Sequence, residues 1–243
     1  MFVLKVVGMG AVLVGLAAPA GVMPAAAAPV PASSVVAAAI SGDGRYVAYV
    51  VRTEPPAGRT DQPSRFLYRR DLRTGATEAL LPGSDPTIGP AALSADGNLI
   101  GAAGWVGEPV GHALIADVGA GTVRDVSLPL SDLDSVSSVS VSGTGRYVLY
   151  AQVSQFLGSQ LPAEIYRYDA ATGLTSLVSE SPAGIADADS GDAAISADGG
   201  FAAFTSAAGN LVDRDVNGLP DVFVVSLRTG TAQLVSRGPA GAA

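Results

Sequence analysis

Four copies of one short pattern constrain this chain more than any other feature. They are Ala39-Ile40-Ser41-Gly42-Asp43-Gly44-Arg45-Tyr46-Val47-Ala48-Tyr49, Ala92-Leu93-Ser94-Ala95-Asp96-Gly97-Asn98-Leu99-Ile100, Ser140-Val141-Ser142-Gly143-Thr144-Gly145-Arg146-Tyr147-Val148-Leu149-Tyr150 and Ala194-Ile195-Ser196-Ala197-Asp198-Gly199-Gly200-Phe201-Ala202-Ala203-Phe204. Their serines stand 53, 48 and 54 residues apart. A second marker follows each copy: Asp71-Leu72-Arg73-Thr74-Gly75, Gly119-Ala120-Gly121-Thr122, Asp169-Ala170-Ala171-Thr172-Gly173 and Leu227-Arg228-Thr229-Gly230. A period of this length is the signature of a repeat architecture.

Each marker has a mechanical meaning. In Ser-x-Asp-Gly, Asp tolerates turn conformations, Gly supplies the positive φ of a tight hairpin, and the Ser hydroxyl bonds turn amides. The run after it, such as Arg45-Tyr46-Val47-Ala48-Tyr49-Val50, is a strand by composition. Thr-Gly closes a second hairpin between apolar runs such as Val222-Phe223-Val224-Val225 and Ala232-Gln233-Leu234-Val235-Ser236. One unit therefore reads as a four-stranded antiparallel meander. Alone it cannot bury both faces; radial stacking buries them. The expected fold class is all-β: a β-propeller, or an open propeller arc, of four four-stranded antiparallel blades. The blades fall at about residues 34–83, 88–130, 135–181 and 190–238 of a repeat domain covering 29–243.

These residues resemble the TolB-like propeller repeats of exported bacterial proteins, over roughly residues 34–238. The Ser-Ala-Asp-Gly element with its aromatic and aliphatic strand is the most specific part, and blade 4 fits best. Blade 2 departs most: Asn98-Leu99-Ile100-Gly101-Ala102-Ala103 lacks the aromatics and its Thr-Gly order is reversed. The resemblance implies a rigid, usually non-catalytic scaffold that contacts proteins or small ligands, and no one shared activity. Such propellers usually have more than four blades. Leu234-Val235-Ser236-Arg237-Gly238-Pro239-Ala240-Gly241 also looks like Leu177-Val178-Ser179-Glu180-Ser181-Pro182-Ala183-Gly184, which leads into blade 4. A small closed ring, an open arc and a truncated product are all compatible with that.

The first 28 residues read as a cleavable export signal. Lys5 gives a positive start, Val6 to Ala18 is apolar, Pro19 breaks the helix, and Ala25-Ala26-Ala27-Ala28 offers small residues for cleavage. An uncleaved anchor is the alternative, opposed by Pro19 and Pro24. The expectation is a secreted, cell-surface or periplasmic protein with no stable membrane insertion after cleavage. The net charge is −8 and Lys5 is the only lysine, so removing the signal leaves −9. Without a basic block, nucleic-acid binding is not expected. The chain has no cysteine, which excludes disulfides, thiolate chemistry and Cys-ligated metals.

The meander puts both kinds of tight turn on one face. The long middle loops and the blade-to-blade linkers share the other face, where function usually concentrates. There Asp213-Arg214-Asp215-Val216-Asn217-Gly218-Leu219-Pro220-Asp221 matches the first part of a calcium loop. Asp213, Asp215, Asn217 and Asp221 are the candidate metal ligands and Ca²⁺ the one candidate cofactor. The acid at position twelve is missing, since Val224 stands there, and a turn capped by its own side chains is the alternative. Asp187-Ala188-Asp189-Ser190-Gly191-Asp192 projects from the same face, as do Trp105, Glu108, His112, Phe156, Gln160, Arg52, Arg59 and Arg65. They could form a ligand pocket, or could simply pack and solvate the loops.

Catalytic residues are not expected. There is a single His and no nucleophile-elbow motif, and nothing selects a pair of carboxylates. The expected function is an exported non-enzymatic scaffold for an unidentified protein or small-molecule partner. The alternatives are a calcium-stabilised structural or surface-adhesion domain, and a hydrolase or lyase with its site at the propeller mouth.

Overall fold

The computed structural model describes residues 33–53, 64–85, 89, 91–104, 111–128, 134–156, 159–213, 215 and 217–236. The signal segment lies outside them. Among the described residues there is no helix, and the chain is all β. Blade 1 comprises β1 (Ser33–Ile40), β2 (Tyr46–Thr53), β3 (Ser64–Asp71) and β4 (Thr77–Asp85). Blade 2 comprises β5 (Ala91–Leu93), β6 (Leu99–Gly104), β7 (His112–Asp117) and β8 (Thr122–Asp125). Blade 3 begins with β9 (Ser135–Val141) and β10 (Tyr147–Val153). A small hairpin follows, β11 (Gln155–Phe156) with β12 (Ser159–Gln160), and then β13 (Glu164–Asp169) and β14 (Leu174–Leu177) complete the blade. A second small hairpin, β15 (Glu180–Ser181) with β16 (Gly184–Ile185), leads to blade 4: β17 (Ser190–Ile195), β18 (Phe201–Ser206), β19 (Asp221–Ser226) and β20 (Thr231–Leu234). Each blade is an antiparallel meander in sequence order, and the first strands of successive blades touch.

The Ser-x-Asp-Gly turns are built alike. Ser41 Oγ donates to Asp43 Oδ1 at 2.5 Å and accepts from the Tyr46 N–H at 2.9 Å, while Asp43 Oδ1 also accepts from the Arg45 N–H at 2.9 Å. Ser94 with Asp96, and Ser196 with Asp198, repeat this pattern. In blade 3 the Thr144 hydroxyl replaces the carboxylate. The serine hydroxyl, then the backbone N–H, hold Asp43, Asp96 and Asp198 below the usual carboxylate range. Glycine is required because φ there is +65° to +73°.

The core lies between blades as three slabs. Ala48, Val50 and Leu67 of blade 1 meet Leu93, Ile100 and Ala102 of blade 2. Leu99, Ala103 and Ile115 of blade 2 meet Val139, Val141 and Val148 of blade 3. Leu149, Ala151 and Ile165 of blade 3 meet Ala202, Phe204 and Phe223 of blade 4. The turns also join neighbouring blades, since the Asp43 N–H donates to Ala95 O at 3.0 Å and the Ala95 N–H to Gly143 O at 2.8 Å. The four sheets do not close into a ring. Phe201 of blade 4 and Ile40 of blade 1 are 52% and 60% exposed on the two outer faces. Of the arrangements open at the sequence level, the arc is the one observed.

Candidate functional site on the loop face

The loop face carries one polar device in three blades. Where the fourth strand ends, a serine reaches back to the first residue of the third strand. In blade 3, Ser179 Oγ makes a short hydrogen bond to Glu164 Oε2 and accepts from the Ile165 N–H at 2.9 Å. In blade 4, Ser236 Oγ makes the same short bond to Asp221 Oδ1 and accepts from the Val222 N–H at 2.9 Å. In blade 2, Ser127 Oγ lies 3.2 Å from His112 Nδ1. The backbone beside each serine repeats too: the N–H groups of Val126, Val178 and Val235 donate to the carbonyls of Ala113, Ile165 and Val222. Blade 1 has Leu81-Pro82-Gly83 in place of Leu-Val-Ser and so has no hydroxyl to offer.

The most buried polar cluster belongs to blade 3. Gln152, pairing with Glu164 across β10 and β13, donates through Nε2 to Leu128 O at 2.7 Å and to Asp134 Oδ2 at 3.0 Å. Its Oε1 accepts from the Leu128 N–H at 3.1 Å. Burial pushes the Glu164 carboxyl up to about 7; Asp189 adds to the rise, and the Ser179 hydroxyl opposes it. Asp189 accepts from the Ala163 N–H at 2.8 Å, which fixes the linker from blade 3 to blade 4.

His112 does not form a catalytic relay. Asp125 Oδ2 lies 2.6 Å from Nδ1, the same nitrogen that Ser127 approaches. A relay needs nucleophile and carboxylate on opposite nitrogens. Moreover, Ser127 Oγ donates its proton to Asp125 Oδ1 at 2.5 Å, away from the ring. Burial raises Asp125, but the bonds from His112 and Ser127 more than offset it and leave the carboxyl low.

Of the four candidate calcium ligands, Asn217 and Asp221 are joined: Asn217 Nδ2 donates to Asp221 Oδ2 at 2.8 Å. Asn217 Oδ1 caps its own turn, accepting from the Leu219 N–H at 2.7 Å. Asp221 is buried, Asp213 is exposed, and Asp215 is half-buried. Burial, then the nearby charges of Asp221 and Asp187, raise the Asp215 carboxyl. In the neighbouring acidic linker, Asp187 accepts from the Gly209 N–H at 3.0 Å. Among the described residues, no three acidic, His or Cys side chains gather as a metal site.

Trp105, Glu108 and Arg59 lie outside the described residues, as does the side chain of Phe156. Arg52 and Arg65 face each other in register on β2 and β3, and exposed Gln160 sits on the β11–β12 hairpin. A feature that sequence reasoning missed is a groove of about 370 Å³ on the turn face, between blades 2 and 3. Asp96, Asp117, Arg124 and Arg146 line it. The serine device was visible only as a repeated Leu-Val-Ser, read as linker.

No family model matches the sequence, and no curated protein matches it. Solved structures do match in fold. TolB from Acinetobacter baumannii shares 18% identity at a TM-score of 0.50, covering 83% of this chain and 43% of its own. A putative TolB from Agrobacterium tumefaciens shares 17% at 0.53, covering 85% and 63%. An oligogalacturonate lyase in complex with manganese shares 15% at 0.56, covering 83% and 53%. The chain thus spans about half the length of these proteins. At such identities the likeness concerns fold alone. The chain has a TolB-like β-propeller fold, in the form of a four-bladed open arc.

Proposed function

We propose that the chain is an exported, non-enzymatic propeller scaffold that engages a protein or small-molecule partner through its loop face. The observation that carries this reading is the repeated serine device. The His112–Ser127–Asp125 group sits where Glu164–Ser179 and Asp221–Ser236 sit, so its geometry is that of a blade fastener. The Lys5 start, apolar core and Ala-rich end of the first 28 residues support export. Two measurements test the proposal. N-terminal sequencing of exported material should begin between about residues 26 and 34; intact Met1 in a membrane fraction would contradict it. Chemical cross-linking in the exporting cell should capture a partner, and purified chain should turn over neither p-nitrophenyl esters nor oligogalacturonides. Turnover abolished by His112→Ala would overturn the non-enzymatic reading.

A calcium-stabilised structural or adhesion domain is a second reading. It is favoured by the mutual repulsion of Asp215, Asp221 and Asp187, which a cation would relieve. Binding at a hundredfold excess over Kd would add about 2.7 kcal/mol. A melting temperature that rises in millimolar Ca²⁺, and no longer does so in Asp215→Ala, supports it. Equal melting in Ca²⁺ and chelator contradicts it.

A further inference from the structure

We infer that the two open edges of the arc pair with one another between two copies of this chain, blade 4 of each stacking on blade 1 of the other to close an eight-bladed ring. The three internal junctions supply the mould. At each, the residue before the turn serine points into the preceding blade. Leu93 and Val141 are buried there and Ile195 packs against blade 3, whereas Ile40 is exposed. At each, too, the first residue of the second strand covers the turn glycine of the next blade. A Cβ on Gly97 would collide with the Tyr46 ring, and one on Gly199 with the Tyr147 ring. A Cβ on Gly145 would stand 3.4 Å from Leu99 Cβ. Gly44 has nothing within 4 Å of that position, and Phe201 covers nothing.

The remainder of the two edges fits the same mould. Leu67, Ala113 and Ile165, on the third strands of blades 1 to 3, are buried under the following blade; their counterpart Val222 is 36% exposed. Val35, Val36 and Ala38 stand exposed beside Ile40 on β1. Thus one edge presents an uncovered glycine and an aliphatic strand, and the other presents an aromatic and a Val. Each is what the other's counterparts pack against inside the arc.

The pairing is also consistent in type. Blades 1 and 3 carry Tyr with Arg at the junction, with Arg69 over Tyr46 and Arg167 over Tyr147. These arginines also reach the next blade, at Gly97 O and Leu227 O. Blades 2 and 4 carry Leu99 with Ile115 and Phe201 with Val224. A blade 4 to blade 1 junction would therefore be of the same apolar kind as the blade 2 to blade 3 junction already present. Contacts that run head to tail close into a ring when the rotation permits, and eight blades lie within the range of propellers.

Sedimentation of the purified chain at micromolar concentration tests this. The wild type should run at twice the monomer mass. Ile40→Arg and Phe201→Arg should each run as monomers while melting like the wild type. An equimolar mixture of the two should recover part of the dimer, because one of its two junctions is wild type on both sides. If either variant fails to fold, Ala38→Glu or Val222→Arg replaces it on the same face. A monomeric wild type would overturn the inference. So would a series of polymers beyond the dimer, or an Ile40→Arg variant that dimerises while Phe201→Arg does not, since that pattern means like edges meet.

Discussion

Glu164 should make stability fall as pH rises through neutrality, and Glu164→Gln should remove that fall. The carboxyl is buried at the loop-face end of β13, with Tyr166 two residues along the strand, Asp189 close by and only the Ser179 hydroxyl opposing the burial penalty. Its pKa rises from 4.5 to about 7 on folding. A folded-state value above the unfolded one means the native chain holds the proton longer. Below about pH 4.5 both states are protonated and no penalty applies. Between there and about pH 7 the unfolded state releases its proton first, and stability declines; above that window the full penalty is present. The shift corresponds to up to about 3 kcal/mol. Glutamine keeps an oxygen for the Ser179 hydroxyl and cannot ionise. Urea denaturation of both proteins at pH 5 and pH 8.5 is the assay. The wild type should lose about 2–3 kcal/mol relative to the variant between the two pH values. Parallel pH profiles, with a constant difference between the proteins, would refute the reasoning.

Two further outcomes follow from the turn face. Ser94→Ala, at a buried serine, should cost about 1–3 kcal/mol in urea denaturation, because the Leu99 N–H loses its acceptor and the Asp96 carboxylate loses a donor. Gly97→Ala should cost more, about 2–4 kcal/mol, since it combines a positive φ with overlap onto the Tyr46 ring; full recovery of stability in that variant would count against the junction geometry.

The architecture was legible because its information is local. Ser41, Asp43 and Gly44 act within a few residues of one another, so the turn can be read from its spelling. The loop face is different. Ser179 acts on Glu164 across 15 residues, and Gln152 on Asp134 across 18. Such partners are set by strand register, which no local pattern displays. Blade 2 shows why: its Gly121 turn departs from Thr-Gly, yet register still brings Ser127 to His112. The state of the ring was equally hidden, because blades 1 and 4 carry the same edge residues as the inner blades and differ only in having nothing over them. The calcium-like spacing was legible as a string, but Asn217 spends its oxygen on the Leu219 amide, a local competition that spacing alone does not reveal.

The central claim is that the polar groups at the strand ends hold the blades rather than perform chemistry. Equilibrium unfolding of Ser127→Ala, Ser179→Ala and Ser236→Ala tests it most directly. Groups kept for catalysis tend to be neutral or costly to stability, so removing them leaves a protein as stable as before or more so. Fasteners behave in the opposite way. The account predicts a loss of about 0.5–1.5 kcal/mol at Ser127 and Ser236, and about 1–3 kcal/mol at fully buried Ser179, whose removal strands the Ile165 N–H. A Ser127→Ala variant as stable as the wild type or more stable, beside destabilised Ser179 and Ser236 variants, would contradict the claim at the one position where a histidine is present.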